Sequence, residues 1–409
     1  MFRTTATPSI ISTICLWWMW MGCLATAMGP HVTSATLVNF YPVCDQARTL
    51  GAPCETYNVT TADGFVLQVV RIPPLSTGAP AVYLQHGLLD SAVTWIANAN
   101  DFQNLGTMLH KAGYDVYMNN ARGNHYSMGN VNLTQSQDLY WQMIDMDWMA
   151  KYDLPAVIDF VLENTGHATI AAYVGHSQGG MMGFAGFGHW NPEYASKVGT
   201  FVALAPACAV GHTTAFLVKL LSDLDVGQIL EIFGMHEFMS NDWLLRQIGK
   251  FCADLGGVCP DILDLIVGDG NAANVNQSQL ATILRYDPGG TSVNNMLHWA
   301  QEVKSGLFQA HDYGSTQNEQ FYGQSTAPVY NLSAMRGPPT YVFSGQRDAL
   351  ADPQDVAMIV EQVPSSVLLG SVVIPSYAHM DFVWGLDAYS VLYPQILTII
   401  AKYANPLKQ

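Results

Sequence analysis

The sequence predicts an α/β fold: a mostly parallel central sheet with helices on both faces and an inserted, mainly helical cap. Three observations predict it. Short apolar runs rich in Val, Ile and Tyr alternate with helix-period segments, the alternation stops between about residues 206 and 330, and strand-like runs resume at Thr340. Continuous apolar runs of about four to eight residues suit strands buried on both faces, and their alternation with helices signals a parallel sheet.

The first element is an export signal. Arg3 precedes an uncharged stretch from Ile10 to Ala27 that contains Cys15-Leu16-Trp17-Trp18-Met19-Trp20 and ends in the small-x-small triplet Ala25-Thr26-Ala27. That layout predicts a secretory signal peptide cleaved after Ala27. A stretch of this length could just span a bilayer as an uncleaved anchor, but Gly22, Thr26 and the Gly29-Pro30 break weaken a spanning helix. No later run is comparable, so no stable transmembrane segment is expected after cleavage. The domain plan is a signal peptide over 1–27, the first part of the α/β core over 28–205, the cap over 206–330 and the second part of the core over 331–409.

Composition narrows the class. Of 409 residues, 12% are charged and 49% hydrophobic, with 16 Lys and Arg against 32 Asp and Glu for a net charge of −16. So apolar a chain can bury a large core, which excludes disorder. So few cations exclude an extended nucleic-acid surface, which needs clustered Lys and Arg against phosphates. No internal repeat is apparent, and nothing in the sequence sets an oligomeric state.

A hairpin opens the core. Tyr57-Asn58-Val59-Thr60 and Phe65 to Val70 flank Ala62-Asp63-Gly64, and Asp-Gly between alternating runs signals a tight turn. The following strands are read at Ala81 to Leu84, Asp115 to Met118, Ile170 to Val174, Phe201 to Leu204, Thr340 to Phe343 and Ser371 to Ile374. Asp153 before Leu154-Pro155 predicts a helix N-cap with proline in the first turn.

After signal cleavage five cysteines remain. Cys44 with Cys54 and Cys252 with Cys259 are local pairs that an oxidising lumen would bridge, which leaves Cys208 odd. No C-x-x-C occurs, so a zinc site is not expected. Sequons at Asn58, Asn132, Asn276 and Asn331 are glycosylation candidates in a secretory protein.

The strongest chemical signal is Gly175-His176-Ser177-Gln178-Gly179, placed between the strand ending at Val174 and the helix-like Gly180-Met181-Met182-Gly183-Phe184. This is G-x-S-x-G on a strand-to-helix turn, where glycines at 175 and 179 let the backbone close and push the Ser177 hydroxyl out at a helix N-terminus. A serine nucleophile needs a base and an acid that orients the base. In this arrangement the chain order is Ser, acid, His. His379 is the one histidine after Thr340, in the loop after the last strand. His189, His212, His236, His298 and His311 fall in the elbow helix or the cap, where a surface or core role is expected. For the acid, Asp348 sits at the C-terminal edge of the strand from Thr340, whereas Asp352 before Pro353 suits the N-cap of the next helix. The oxyanion donors expected are the N–H of Gln178 and that of Leu88, in the loop Gln85-His86-Gly87-Leu88-Leu89-Asp90-Ser91, with His86 and Gly87 shaping the turn.

With these residues assembled, the chain from about 50 to 400 resembles the eukaryotic acid lipases of the α/β-hydrolase fold, the gastric and lysosomal acid lipase family. The landmarks are Thr61 to Phe65, Leu84 to Leu89, Gly113 to Met118 with Arg122-Gly123-Asn124, Tyr152 to Phe160, Gly175 to Gly179, Gly290 to Trp299, Leu350 to Val356 and His379 to Phe382. The cysteines look more like the plant-type branch. The resemblance implies a Ser177, Asp348, His379 triad, an oxyanion hole from Leu88 and Gln178, and a lid inside about 210–260 that moves at a lipid interface. It implies hydrolysis of neutral lipid esters in a secreted or lysosomal/vacuolar setting, with no metal or organic cofactor. Rival readings are an esterase or acyltransferase on other esters, or a catalytically silent binding scaffold. The family pattern is broken at Ala378, where asparagine often precedes the histidine.

Overall fold

The computed structural model describes residues 43–215, 236–238, 274–276, 280, 283 and 286–404. The predicted signal peptide, the Cys252–Cys259 pair and most of the predicted lid lie outside the described residues.

The chain enters through helix α1 (Val43–Thr49), which Cys44 ties to Cys54 by a disulfide. The predicted hairpin follows as β1 (Glu55–Thr60) and β2 (Phe65–Ile72), antiparallel with Thr60 opposite Val66. Gly64 takes φ +95° in the turn, a value glycine adopts without steric cost. Then come β3 (Ala81–Gln85), α2 (Leu105–Lys111), β4 (Asp115–Asn119), the short β5 (Gly129–Asn130), α3 (Leu154–Thr165), β6 (Ala172–His176), α4 (Gln178–Ala185) and β7 (Phe201–Leu204).

Within the segment read as the cap, the short strands β8 (Glu237–Phe238) and β9 (Thr291–Ser292) pair with each other, and α5 (Val293–Ser305) and α6 (Ser315–Tyr322) follow. It closes with β10 (Thr340–Gly345), α7 (Pro353–Gln362), β11 (Leu368–Ile374) and α8 (Tyr393–Tyr403). The sheet order is β1-β2-β4-β3-β6-β7-β10-β11, with β5 beside β2. From β4 to β11 neighbouring strands run parallel, and only the hairpin end is antiparallel. Every residue of β3, β4, β6 and β7 is buried, as continuous apolar runs in a doubly covered sheet require.

Three expectations are corrected. The strand read from Ile170 starts at Ala172, because Ile170 makes only an isolated bridge with Val198. The run Ser371 to Ile374 does form a strand, but at the sheet edge, where Val372 and Val373 are exposed. Asp153 is not a helix N-cap: it is already helical at φ −72°, ψ −47° and its side chain caps nothing. Its carboxylate instead accepts from Arg122 Nε (2.8 Å), Nη2 (2.6 Å) and backbone N–H (3.1 Å). Arg122 is completed by Asp63, so three groups distant in sequence close a buried ion network under the hairpin turn.

Candidate active site

The nucleophile elbow forms where β6 ends and α4 begins. Ser177 stands between them at φ 55°, ψ −118°, a strained conformation for a residue with a side chain. Its N–H donates to Leu204 O (2.9 Å), and its carbonyl accepts from Gly180 N–H (2.8 Å) and Met181 N–H (3.1 Å). The flanking glycines are required by space. A Cβ on Gly175 would lie 2.3 Å from Gly179 O, and one on Gly179 would lie 2.4 Å from Gln85 O. The predicted glycine roles therefore follow from backbone packed on backbone.

His379 and Asp348 meet as the sequence order suggests. The two loops that carry them are stitched together: Gln346 N–H donates to Ile374 O (3.1 Å), Arg347 N–H to Tyr377 O (3.0 Å), and a Cβ on Gly345 would lie 2.3 Å from Tyr377 O. His379 Nδ1–H donates to Asp348 Oδ2 at 2.9 Å. Asp348 Oδ1 accepts from the N–H groups of Leu350 (2.9 Å) and Ala351 (2.8 Å), so every side of this buried carboxylate is held. Because Nδ1 carries the proton, Nε2 is the basic nitrogen. Asp352, the alternative acid, accepts from Gln354 N–H (2.8 Å) as the N-cap of α7.

The loop Gln85 to Ser91, read from the sequence as the source of an oxyanion donor, lies against the elbow. A Cβ on Gly87 would come within 2.9 Å of Ser177 Cβ, so this loop reaches the nucleophile only because residue 87 is glycine. His86 locks the turn, with Nδ1–H donating to Gly87 O (2.8 Å) and Nε2 accepting from Ala121 N–H (3.0 Å). Burial pushes its pKa down to about 4, so it is a neutral structural imidazole. Among the described residues neither Leu88 N–H nor Gln178 N–H donates to a backbone carbonyl.

Sequence reasoning did not assign the groups that hold Gln178. Its side-chain oxygen accepts from Asn295 Nδ2 (3.0 Å) and Trp299 Nε1 (2.8 Å), both on α5. Arg122, Asp63, Asp153, Asn295 and Trp299 all lie inside motifs noticed in the sequence. Their partners lie between 31 and 121 residues away, so no local pattern exposes the pairing. A buried polar cluster sits behind α5. Asp145, His298 and His311 offer ligand atoms within 4.8 Å of one another. However, Asp145 Oδ2 already accepts from Asn294 Nδ2 (2.9 Å), His311 Nδ1 (3.1 Å) and Tyr313 OH, and Oδ1 caps Asp147 and Trp148. These bonds occupy the carboxylate without an ion. Of the sequons, Asn58, Asn132 and Asn331 are exposed and Asn276 is partly so. Cys208 is a free, buried thiol.

A parallel sheet, a serine elbow, and a histidine held by an aspartate after later strands define an α/β hydrolase. The profile of a partial α/β-hydrolase lipase region matches residues 43–99, and that of the α/β hydrolase fold matches 80–229. The chain is 41% identical over 365 residues to human (Homo sapiens) gastric triacylglycerol lipase, covering 86% of this chain and 89% of that one. Human lysosomal acid lipase/cholesteryl ester hydrolase is 40% identical over 363 residues, with the same coverage. Human lipase member M is 40% identical over 380 residues, covering 90% of this chain and 88% of that one. The chain belongs to the gastric and lysosomal acid lipase family.

Two solved structures share the fold alone. They are a naproxen esterase from Bacillus subtilis (TM-score 0.50, 16% identity, 90% of this chain and 99% of that one) and a bacterial membrane phospholipase A (TM-score 0.50, 14% identity, 96% and 99%).

Proposed function

We propose that this protein hydrolyses the carboxylic ester bonds of neutral lipids, such as triacylglycerols or steryl esters, through an acyl-enzyme on Ser177. The observation that carries the reading is the 2.9 Å bond from His379 Nδ1–H to Asp348, on loops stitched together above the strained Ser177 elbow. His379 Nε2 takes the Ser177 proton as Oγ attacks the ester carbonyl, and the N–H groups of Leu88 and Gln178 stabilise the oxyanion. The tetrahedral centre collapses with His379 returning the proton to the departing alcohol. Water, activated by the same imidazole, then releases the fatty acid. Asp348 holds the tautomer and stabilises the imidazolium. No step needs a metal or organic cofactor.

The relatives' names, gastric and lysosomal lipases, support a secreted or lysosomal/vacuolar setting, as does the Cys44–Cys54 disulfide. Among the described residues no helix is long and apolar enough to cross a membrane. The domain plan read from the sequence and the lid inside about 210–260 belong to this proposal.

The test is covalent labelling with a fluorophosphonate. Wild type labels and Ser177→Ala does not; labelling that survives Ser177→Ala overturns the mechanism. Rates on long-chain triacylglycerol emulsions, steryl esters and soluble short-chain esters then set the substrate class. Activity on soluble esters alone would make the protein an esterase, and net acyl transfer to an added alcohol an acyltransferase.

A further inference from the structure

The segment that leads into β9 crosses directly over the oxyanion loop. Gly289 N–H donates to Leu89 O (2.5 Å), Gly289 O accepts from His125 N–H (2.9 Å), and Asn124 Nδ2 donates to Asp90 O (2.7 Å). A Cβ on Gly289 would lie 2.6 Å from Asp90 O and 2.1 Å from Asn124 Nδ2, so the two segments touch backbone to backbone. At this crossing each strand of chain buries a carboxyl group, Asp90 on the loop and Asp287 on the segment above it. Asp90 Oδ1 accepts from Ser91 N–H (2.8 Å). Within hydrogen-bond distance no donor of the described residues serves Asp90 Oδ2 or either oxygen of Asp287; the Thr94 hydroxyl near Asp90 and the Ser91 hydroxyl near Asp287 approach without closing such a bond. A buried pair of carboxyls with three unserved acceptor atoms lacks a hydrogen.

We propose that Asp90 and Asp287 share one proton, and that this proton pins the oxyanion loop, Leu88 with it, to the 287–289 segment as a positioning device for the Ser177 reaction. The proposal rests on the oxyanion role given above to Leu88. Two facing carboxylates in a dry site cannot both ionise, because neither burial nor the neighbouring charge favours the second anion. Burial pushes Asp90 up to about 7, and burial with the Asp90 charge pushes Asp287 well above the carboxylate range. The two titrate as a unit.

The surrounding titratable groups cannot supply a countercharge. His86, on the same loop, is pushed down to about 4 by burial, and His125, beside the crossing, to about 3 by burial. His176, under the loop, is pushed far down by burial. Among the described residues no Lys or Arg forms an ion pair with Asp90 or Asp287. The folded state therefore binds a proton that the unfolded chain gives up in the ordinary carboxylate range. Asp90 gives up its own proton as pH rises through about 7, and the stability tied to that proton goes with it, while Asp287, raised well above the carboxylate range, keeps the proton that the pair then shares. The crossing therefore stays bridged through neutral pH, with the Asp287 O–H donating to the ionised Asp90.

The test compares full-length wild type, Asp287→Asn, which keeps a donor toward Asp90, and Asp287→Ala, which removes it. The readouts are the rate of fluorophosphonate labelling and the thermal midpoint, followed from about pH 5 to about pH 8. Near pH 8 wild type and Asp287→Asn are expected to label within about threefold of each other and Asp287→Ala about tenfold more slowly, with the thermal midpoint of Asp287→Ala falling furthest as pH rises. Equal rates and midpoints in all three proteins across that interval overturn the proposal. If wild type fails to label at any pH, the hydrolase reading fails instead, and the midpoints still decide whether the pair shares a proton. Should both Asp287 variants misfold, infrared spectroscopy of Glu302→Gln, which removes the other carboxyl, raised to about 8, decides: the band of a buried protonated carboxyl persists above about pH 7 if the pair shares a proton and is absent there if it does not.

Discussion

His176 Nε2–H donates to the main-chain carbonyl of His379 at 3.1 Å, so the residue before the nucleophile holds the loop of the base. The two rings pack with centroids 4.9 Å apart, and burial keeps His176 neutral far below its ordinary pKa. The strained elbow and the histidine loop are thus joined directly.

Removing that donor should disturb catalysis more than binding. His176→Phe leaves the His379 carbonyl buried without a partner, a cost of about 1–3 kcal/mol. The expected result is a fall of about tenfold or more in kcat with KM little changed, and partial rescue in His176→Gln, which restores an N–H donor. Steady-state kinetics on a soluble ester reads both. Equal damage in the two variants would assign His176 to packing alone.

Asp348 and Asp352 separate the acid from the cap. Asp348→Asn should cost about 10³–10⁴-fold in kcat, because the amide no longer enforces the Nδ1–H tautomer of His379. Asp352→Ala should cost about 1 kcal/mol of stability through the lost N-cap on α7, with kcat within about twofold. Kinetics and thermal unfolding on both variants check the assignment, and the opposite pattern reverses it.

Gly175→Ala probes the elbow as a packing problem. Its new Cβ would sit 2.3 Å from Gly179 O, and a backbone obstacle cannot swing aside as a side chain can. The expected outcome is a loss of about 1–3 kcal/mol in stability together with loss of fluorophosphonate labelling. Gly51→Ala has open space around its Cβ position but takes φ +74°, so it should cost stability while leaving labelling intact.

Glu302 gives a pH prediction. It is fully buried, and burial pushes its pKa up to about 8. The folded protein therefore keeps a proton that the unfolded chain releases, and the associated stability falls as pH rises from the ordinary carboxylate range through about 8. Glu302→Gln, a mimic of the protonated form, should be more stable than wild type near pH 8 and nearly equal to it near pH 4, as thermal midpoints across that range will report. A variant that is less stable at every pH would mean the carboxyl is ionised and held by a partner.

The hairpin at Asp63-Gly64, the run of buried strands, the strand-to-helix turn at Ser177, and the expectation that His379 meets Asp348 rather than Asp352 were all legible in the sequence. These features are local or ordinal: turn chemistry, continuous apolar runs, glycines at fixed offsets and the order of residues along the chain. Val372 and Val373 show the limit of apolar runs, since only the sheet order decides whether such a strand has a neighbour on both sides. Asp153 shows the limit of capping signals. An Asp two residues before a proline favours a helix start, yet the Arg122 guanidinium, 31 residues distant, outweighs that preference inside the core. Only the tertiary structure brought Asn295 and Trp299 to Gln178, His176 to the His379 carbonyl, and Asp287 to Asp90. Each pairing joins segments distant in sequence, and its energy comes from excluding water around groups that would be solvated apart.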